Sequence, residues 1–303
     1  MKAFTQPLHD LSEYEQIVSD LAGHRTPIHI DGCIDSQKCH LISSIGEPYP
    51  VKLIVTYNEI KAKEIYADYQ FFDRNVFYYP AKDIIFYNAD IHGNLIVSQR
   101  MAVIKRMLEG EPVTVITTID GLFDRLLPLE EIAKNRLIFR AEDVLPLEAL
   151  SRELTAMGFE RVSQVESPGQ FAVRGGILDI YNLADECPYR LELWGDEIDS
   201  IRSFDAESQR SIEQVDKVII YPATEYVMSA AVRDRGLKMI DQDMKRQVKR
   251  LKYGQNYETA TRLTQVIAEL KENLEISSAS SGIDSLVQYF YGHTVSFLSY
   301  FDW

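Results

Sequence analysis

Residues 171–210, FAVRGGILDIYNLADECPYRLELWGDEIDSIRSFDAESQR, constrain the fold more tightly than any other stretch of the chain. Phe171–Arg174 and Ile177–Tyr181 have strand character, and the Gly175–Gly176 pair between them supplies the positive φ that a tight hairpin turn requires. After a polar loop holding Pro188, Tyr189–Trp194 alternates cleanly. Tyr189, Leu191 and Leu193 fall on one face, Arg190 and Glu192 on the other. Gly195–Asp196 makes the next turn, and Glu197–Phe204 returns as another strand. The pattern specifies a small antiparallel sheet with one apolar face and one face carrying Arg174, Arg190 and Glu192. Spacing alone leaves these charges two roles: a solvated cross-strand ion pair, or part of a binding surface.

The same residues carry a family resemblance. VRGGILDIY, YRLELWGDEIDSIRSFD, ESQRSIEQV and IIYPATEY resemble the second domain of the nucleotide-excision-repair protein UvrB. They are closer still to the matching domain of the bacterial transcription-repair coupling factors, with Tyr181–Asn182 standing where that family has Phe–Pro. The resemblance is strong over residues 136–226 and weaker, but in the right order, over the rest. It implies a UvrB-like arrangement of α/β and α+β domains. A degenerate P-loop α/β domain (1–135) is followed by an inserted α+β UvrA-binding domain (136–226) and a helical subdomain (227–303).

The residue patterns agree with that division. The N-terminal Leu8, Leu11, Tyr14, Ile17, Val18 and Leu21 follow helical spacing, with Gly23 placed to end the helix. Strands at Ile28–Ile30, Val51–Thr56, Asn75–Tyr79 and Pro112–Thr117 alternate with helices at Lys38–Ile45, Glu59–Gln70 and Leu95–Leu108. Asn58 is the expected N-cap of the second of these. Such alternation argues a covered parallel sheet. From Arg136 the α+β unit begins, with a strand at Leu137–Phe139 and a helix marked by Leu147, Leu150, Leu154 and Met157. Beyond Tyr226 two apolar stripes (Leu237 to Leu251 and Leu263 to Leu274), separated by Gly254, read as a helical hairpin. Ser277–Gly282 reads as a loop. The chain ends on the apolar run VSFLSYFDW, which suggests a piece of a longer protein.

Charge limits the partners. The net charge is −14 over 303 residues, which disfavours autonomous binding to nucleic acid. Cys33, Cys39 and Cys187 form no CxxC pair, so neither a disulfide framework nor a metal site is expected. No apolar run is long enough to cross a bilayer, and a cytoplasmic protein is expected.

Gly32 and Lys38 occupy the offsets of a phosphate-binding loop, GxxxxGK[ST]. The second glycine is replaced by Gln37 and the Mg²⁺-binding hydroxyl by Cys39. A Cβ at Gln37 restricts the backbone, and a thiol is a poor ligand for hard Mg²⁺. Asp35 adds negative charge where phosphates would lie. Gly32, Gln37, Lys38 and Cys39 therefore read as a vestigial loop. No catalytic site and no cofactor are expected in this chain. The resemblance places ATP, Mg²⁺ and an ATP-driven DNA translocase in other parts of the longer protein, together with contacts to RNA polymerase and DNA.

Two stretches bear on DNA. Phe77-Tyr78-Tyr79-Pro80 to Phe86-Tyr87-Asn88, then Ile91 and on to Arg100, corresponds to the DNA-holding hairpin of UvrB but is shorter. Its aromatic residues are able to serve as core or as stacking platforms. Lys245–Lys252 is a basic helical segment suited either to a solvated face or to a phosphate backbone. For protein binding, the resemblance implies that UvrA docks on Arg161, Arg174, Arg190 and Glu192. UvrB has one further arginine where this chain has Ala172. The function implied is recruitment of UvrA to couple stalled transcription to repair. The alternatives are a packing module that masks this surface within the same protein, or a nucleotide-dependent DNA-damage clamp of the UvrB type.

Overall fold

Val113–Thr118 (β3) is buried at all six positions, as expected of a β-branched run in the middle of a parallel sheet covered on both faces. It pairs in parallel with Val51–Thr56 (β1) on one side and Val76–Tyr79 (β2) on the other, giving the order β1-β3-β2. The computed structural model describes residues 5–82, 90–276 and 286–301. This sheet belongs to a unit formed by Met1–Ala81 and Arg106–Phe123, and a second unit comprises Lys82–Lys105 and Asp124–Trp303.

In the first unit, helices α1 (Tyr14–Ala22), α2 (Asp35–Ile45) and α3 (Glu59–Tyr69) accompany the sheet. Asn58 caps α3, its side-chain oxygen accepting from the Lys61 amide at 2.8 Å. Cys39, Ala62, Ile65, Tyr69, Val76, Tyr78 and Ile116 form the core. The expected N-terminal helix is broken: Gln6–Asp10 is a 3₁₀ turn and α1 starts at Tyr14, because Leu11 between them is extended (ψ 126°). The expected strand at Ile28–Ile30 does not form. Ile28, His29 and Ile30 find no sheet neighbour among the described residues, and Ile30 is left 40% exposed.

The second unit is built on a six-stranded sheet of order β10-β9-β8-β7-β6-β5. Its strands are β5 (Glu160–Arg161), β6 (Gln170–Arg174), β7 (Ile177–Ile180), β8 (Tyr189–Trp194), β9 (Glu197–Phe204) and β10 (Ser211–Gln214). All neighbours are antiparallel except β5 and β6. Gly175 takes φ +60° in the β6–β7 turn. Gly176 serves differently: a Cβ there would meet the Leu193 carbonyl oxygen at 2.9 Å. One sheet face buries Phe171, Leu178, Ile180, Leu191, Ile198 and Ile201 against Leu150 and Leu154 of helix α5 (Leu147–Ala156). A separate pair, β4 (Leu137–Arg140) with β11 (Lys217–Ile220), adds Phe139, Val218 and Ile220 to that core.

Helix α4 (Asp90–Glu109) contributes its residues up to Lys105 to this unit. The hairpin of α6 (Ala230–Tyr253) and α7 (Tyr257–Ile276) follows. Buried Gly236 lets Phe290 approach α6 so closely that a Cβ would lie 2.1 Å from the ring. The aromatic run near the chain end folds back: Val295 bridges Leu126, Phe297 is fully buried, and the Tyr300 hydroxyl donates to the Leu127 carbonyl at 2.5 Å. Ser277–Gly282 lies outside the described residues.

The compact units divide at 81/82, 105/106 and 123/124. A buried charge cluster gives the physical reason. Arg100, fully buried, donates to Glu225 from Nε at 2.6 Å and Nη2 at 3.2 Å, and from Nη1 to Asp124 at 2.6 Å. Lys82 shares Glu225 Oε2 with Arg100 at 3.1 Å and lies over the Tyr226 ring. Ions stripped of water must stay paired, so Lys82 and Arg100 are tied to Asp124 and Glu225.

Burial alone raises the Glu225 carboxyl, but Arg100 and Lys82 together override it and hold it down at about 2, from an ordinary 4.5. Asp124 goes the other way: burial pushes it up, and the pull of Arg100 does not fully offset this. A carboxyl depressed in the folded state adds stability above its unfolded value and loses it as pH falls through its folded value. The stability difference between wild type and Glu225→Gln should therefore be full above pH 4.5 and vanish progressively towards pH 2. Urea titrations across that range measure it. At neutral pH the variant should lose about 3–5 kcal/mol, having left two cations inadequately paired.

Candidate protein-binding interface

Strand alternation puts Ala172, Arg174, Asp179, Arg190, Glu192 and Arg202 on the sheet face opposite α5. That face is not uniformly open. Towards the ends of β7 and β9 it carries a second small core of Val165, Ala172, Tyr181 and Phe204, with Val162 and Ala206 packed on it. At the border of the covered half lies Asp179, fully buried.

Asp179 organises the face. It sits directly opposite Arg190 across the β7–β8 pair. Arg190 donates to it through Nε at 2.7 Å and Nη2 at 3.0 Å, a two-point fork. Arg174 adds Nη2 at 2.6 Å. Arg190 also lies over the Phe204 ring, 4.4 Å from its centroid, and donates from Nη2 to the side chain of Gln209 at 3.2 Å. Gln209 holds the clasp from the far side, donating from Nε2 to the Val165 and Ala206 carbonyls at 3.0 and 2.8 Å. It does so at φ +60°, an uncommon conformation for a side-chain-bearing residue. The hydrogen bond to Asp179, opposed in part by burial, raises the Arg190 guanidinium further above its already high value.

The four residues expected at the interface therefore separate. Arg190 is largely withdrawn, its side chain 15% exposed, whereas Arg174 keeps 41%. Glu192 stands in the open half beside Ser200 (3.2 Å) and Arg202 (4.0 Å). Arg161 is elsewhere: paired with Phe171 in the parallel β5–β6 register, it lines a groove with Glu148, Arg152 and Thr155 of α5. Arg174, Arg190 and Glu192 share the face that alternation assigns them, at different depths. The sequence reading missed Asp179, although an acid alternating with Leu178 and Ile180 opposite two arginines was a usable signal. It also missed Arg202 and Gln209.

In the first unit, Gly32 takes φ +79° and Asp35 opens α2. With no strand before it, Gly32–Cys39 lacks the strand-to-helix setting expected from the sequence. The Asp35 carboxylate accepts from Lys61 at 2.5 Å and Lys38 at 3.3 Å, and the Lys61 hydrogen bond, then that of Lys38, draws its carboxyl below the usual range. Cys39 is fully buried with its thiol towards the Ile65 carbonyl, and burial pushes that thiol up. Gln37 follows within α2.

Tyr78 and Tyr79 are core residues and Arg100 belongs to the buried charge cluster. Phe86-Tyr87-Asn88 lies outside the described residues, as does the Ile91 side chain. Lys245, Lys249, Arg250 and Lys252 are exposed on α6. Among the described residues no group of three or more His, Cys, Asp or Glu could hold a metal, and no helix is long and apolar enough to cross a membrane.

Comparison with known proteins bears on this sheet directly. Residues 137–226 match the UvrB interaction domain family. Over 249 residues the chain is 31% identical to the transcription-repair-coupling factor of Bacillus subtilis (strain 168), covering 82% of this chain and 21% of that protein. The corresponding factor of Staphylococcus aureus (strain USA300) is 34% identical over 197 residues, 63% of this chain and 17% of that one. UvrABC system protein B of Thermosipho africanus (strain TCF52B) is 28% identical over 282 residues, 86% and 42% of the two chains. The chain thus spans about a fifth of the coupling factors' length.

The geometry separates stability from binding. Asp179→Ala and Arg190→Met should each cost about 3–5 kcal/mol in urea unfolding, because the first leaves Arg190 without its carboxylate and the second leaves buried Asp179 with Arg174 as its one remaining cation. Arg174→Ala should cost about 1 kcal/mol or less, since its guanidinium remains largely hydrated. Equal losses at Arg174 and Arg190 would contradict the division.

Proposed function

We propose that the chain is the UvrA-recruiting module of a transcription-repair coupling factor, a reading supported by the match of residues 137–226 to the UvrB interaction domain family and by the similarity to those factors. The observation that carries this reading is the open half of the six-stranded sheet. There Arg174 is held in a fixed direction by a buried acid yet keeps 41% of its side chain in solvent, and Glu192 and Arg202 stand further along the same face. A pre-oriented guanidinium loses little freedom on binding and offers a planar fork to a partner carboxylate. Arg161, on the α5-side groove, extends the surface around the sheet edge. In the longer protein, stalled RNA polymerase and DNA would be handled by an ATP-driven translocase, and this module would bring UvrA to the site, in the cytoplasm.

The module itself is proposed to have no ATPase activity and to hold neither ATP nor Mg²⁺. Supporting this, Lys38 is engaged by Asp35, and the thiol at the position of the Mg²⁺ ligand is buried in the core. Equilibrium titration with ATP and Mg²⁺ should give no saturable binding, and Lys38→Ala should change nothing. Saturable binding abolished by Lys38→Ala would instead favour a nucleotide-dependent damage clamp.

Calorimetric titration with UvrA tests recruitment. The wild-type chain should bind, and Arg161→Ala and Arg174→Ala should each weaken binding by about 1–3 kcal/mol. No binding by the folded chain would overturn the reading and leave intramolecular packing as the role of this surface.

A further inference from the structure

Trp194 is the most exposed aromatic side chain of the six-stranded sheet, at 86%. It ends β8, where Gly195 turns the chain with φ +65°. Its neighbour across the strand is Glu197, as Leu193 faces Ile198. Leu193 and Ile198 belong to the α5-side core. Alternation therefore directs Trp194 to the opposite face, the one carrying Arg174, Asp179, Arg190 and Glu192. Val144, itself 69% exposed, bridges Glu197 from its other side. A tryptophan and a valine thus flank one acid at the rim of the open half-face.

This placement has no explanation in the fold. The indole contributes to no core cluster, and no hydrogen bond of it is recorded among the described residues. Removing a ring that buries about 150–250 Å² when covered from contact with water is a large driving force, and tryptophan is strongly enriched where partner proteins dock.

We infer that Trp194 is the apolar anchor of the docking surface, inserting into an apolar pocket on UvrA whose rim is basic. The basic rim follows from the charges beside the indole: Glu192 at 39% exposure, and exposed Asp196 and Glu197, for which no ion pair is recorded among the described residues. A partner lysine or arginine lying on the indole face would meet these carboxylates at its charged end. Arg174, two strands away along the same face, would meet an acid. The partner surface so defined is basic around the tryptophan and acidic opposite the arginine, which fixes orientation as well as affinity. The inference rests on the recruitment reading above, and adds to it a residue and the chemistry of its counterpart.

The test is titration of UvrA with the wild-type chain and with Trp194→Ala, Trp194→Phe, Arg174→Ala and Tyr253→Ala. Tyr253 is 94% exposed on the helical hairpin and serves as a control for loss of an exposed ring. Trp194→Ala should weaken binding at least tenfold, Trp194→Phe should retain part of the affinity, and Tyr253→Ala should match wild type. Urea unfolding of Trp194→Ala should also match wild type, because the ring makes no fold contact. Binding weakened by Arg174→Ala but unaffected by Trp194→Ala would overturn the anchor while leaving recruitment intact. Absence of wild-type binding would overturn both. A Trp194→Ala chain that binds weakly because it is unstable would show it in the urea curve, and would count against the anchor.

Discussion

A carboxylate with no access to solvent cannot remain ionised without cations fixed close to it, and Asp179 meets this condition by drawing in Arg190 and Arg174. The consequences run through the sheet. Arg190 is pulled down onto Phe204, the 205–210 turn is clasped by Gln209, and half of the face opposite α5 closes over a second core. What stays open is the half beyond Asp179, where Arg174 emerges with its direction already set. The proposed docking surface is the remainder left by a structural ion pair.

Acidic residues play a comparable role elsewhere in the chain. Glu225 and Asp124 hold Arg100, and Glu225 also holds Lys82, inside the second unit. Asp35 engages Lys38 and Lys61 at the start of α2. In each case cations are claimed by a carboxylate of the same unit. This bears on a net charge of −14: the acids are not only a solvated surface, and several determine which cations remain available to partners.

Much of this was legible in the chain. Strict alternation in Tyr189–Trp194 and the glycines at Gly175 and Gly195 specify strands and turns locally, and those strands are present with their apolar positions in one core. Asn58 was readable as a cap because its effect is confined to one turn. What escaped depends on partners distant in sequence. Ile28–Ile30 has strand character but no neighbour to pair with. Arg100 lay in a stretch with DNA-binding precedent, and only contact with Glu225, 125 residues away, shows its structural role. The arginine face was visible as a pattern, yet its sorting into a buried Arg190 and an exposed Arg174 needed the depth of Asp179. Trp194 read as the end of a strand, because periodicity gives a side chain's face but not its exposure.

The central claim is that the open half-face of the six-stranded sheet is where UvrA docks. Hydroxyl-radical footprinting of the chain, free and in complex with UvrA, tests it, since reactive rings are exposed at three places along the chain. Phe71 and Trp194 are each 86% exposed and Tyr253 is 94% exposed. The account predicts that Trp194 loses its reactivity in the complex while Phe71 and Tyr253 keep theirs. Shielding of Phe71 or Tyr253 with Trp194 still fully reactive would contradict it.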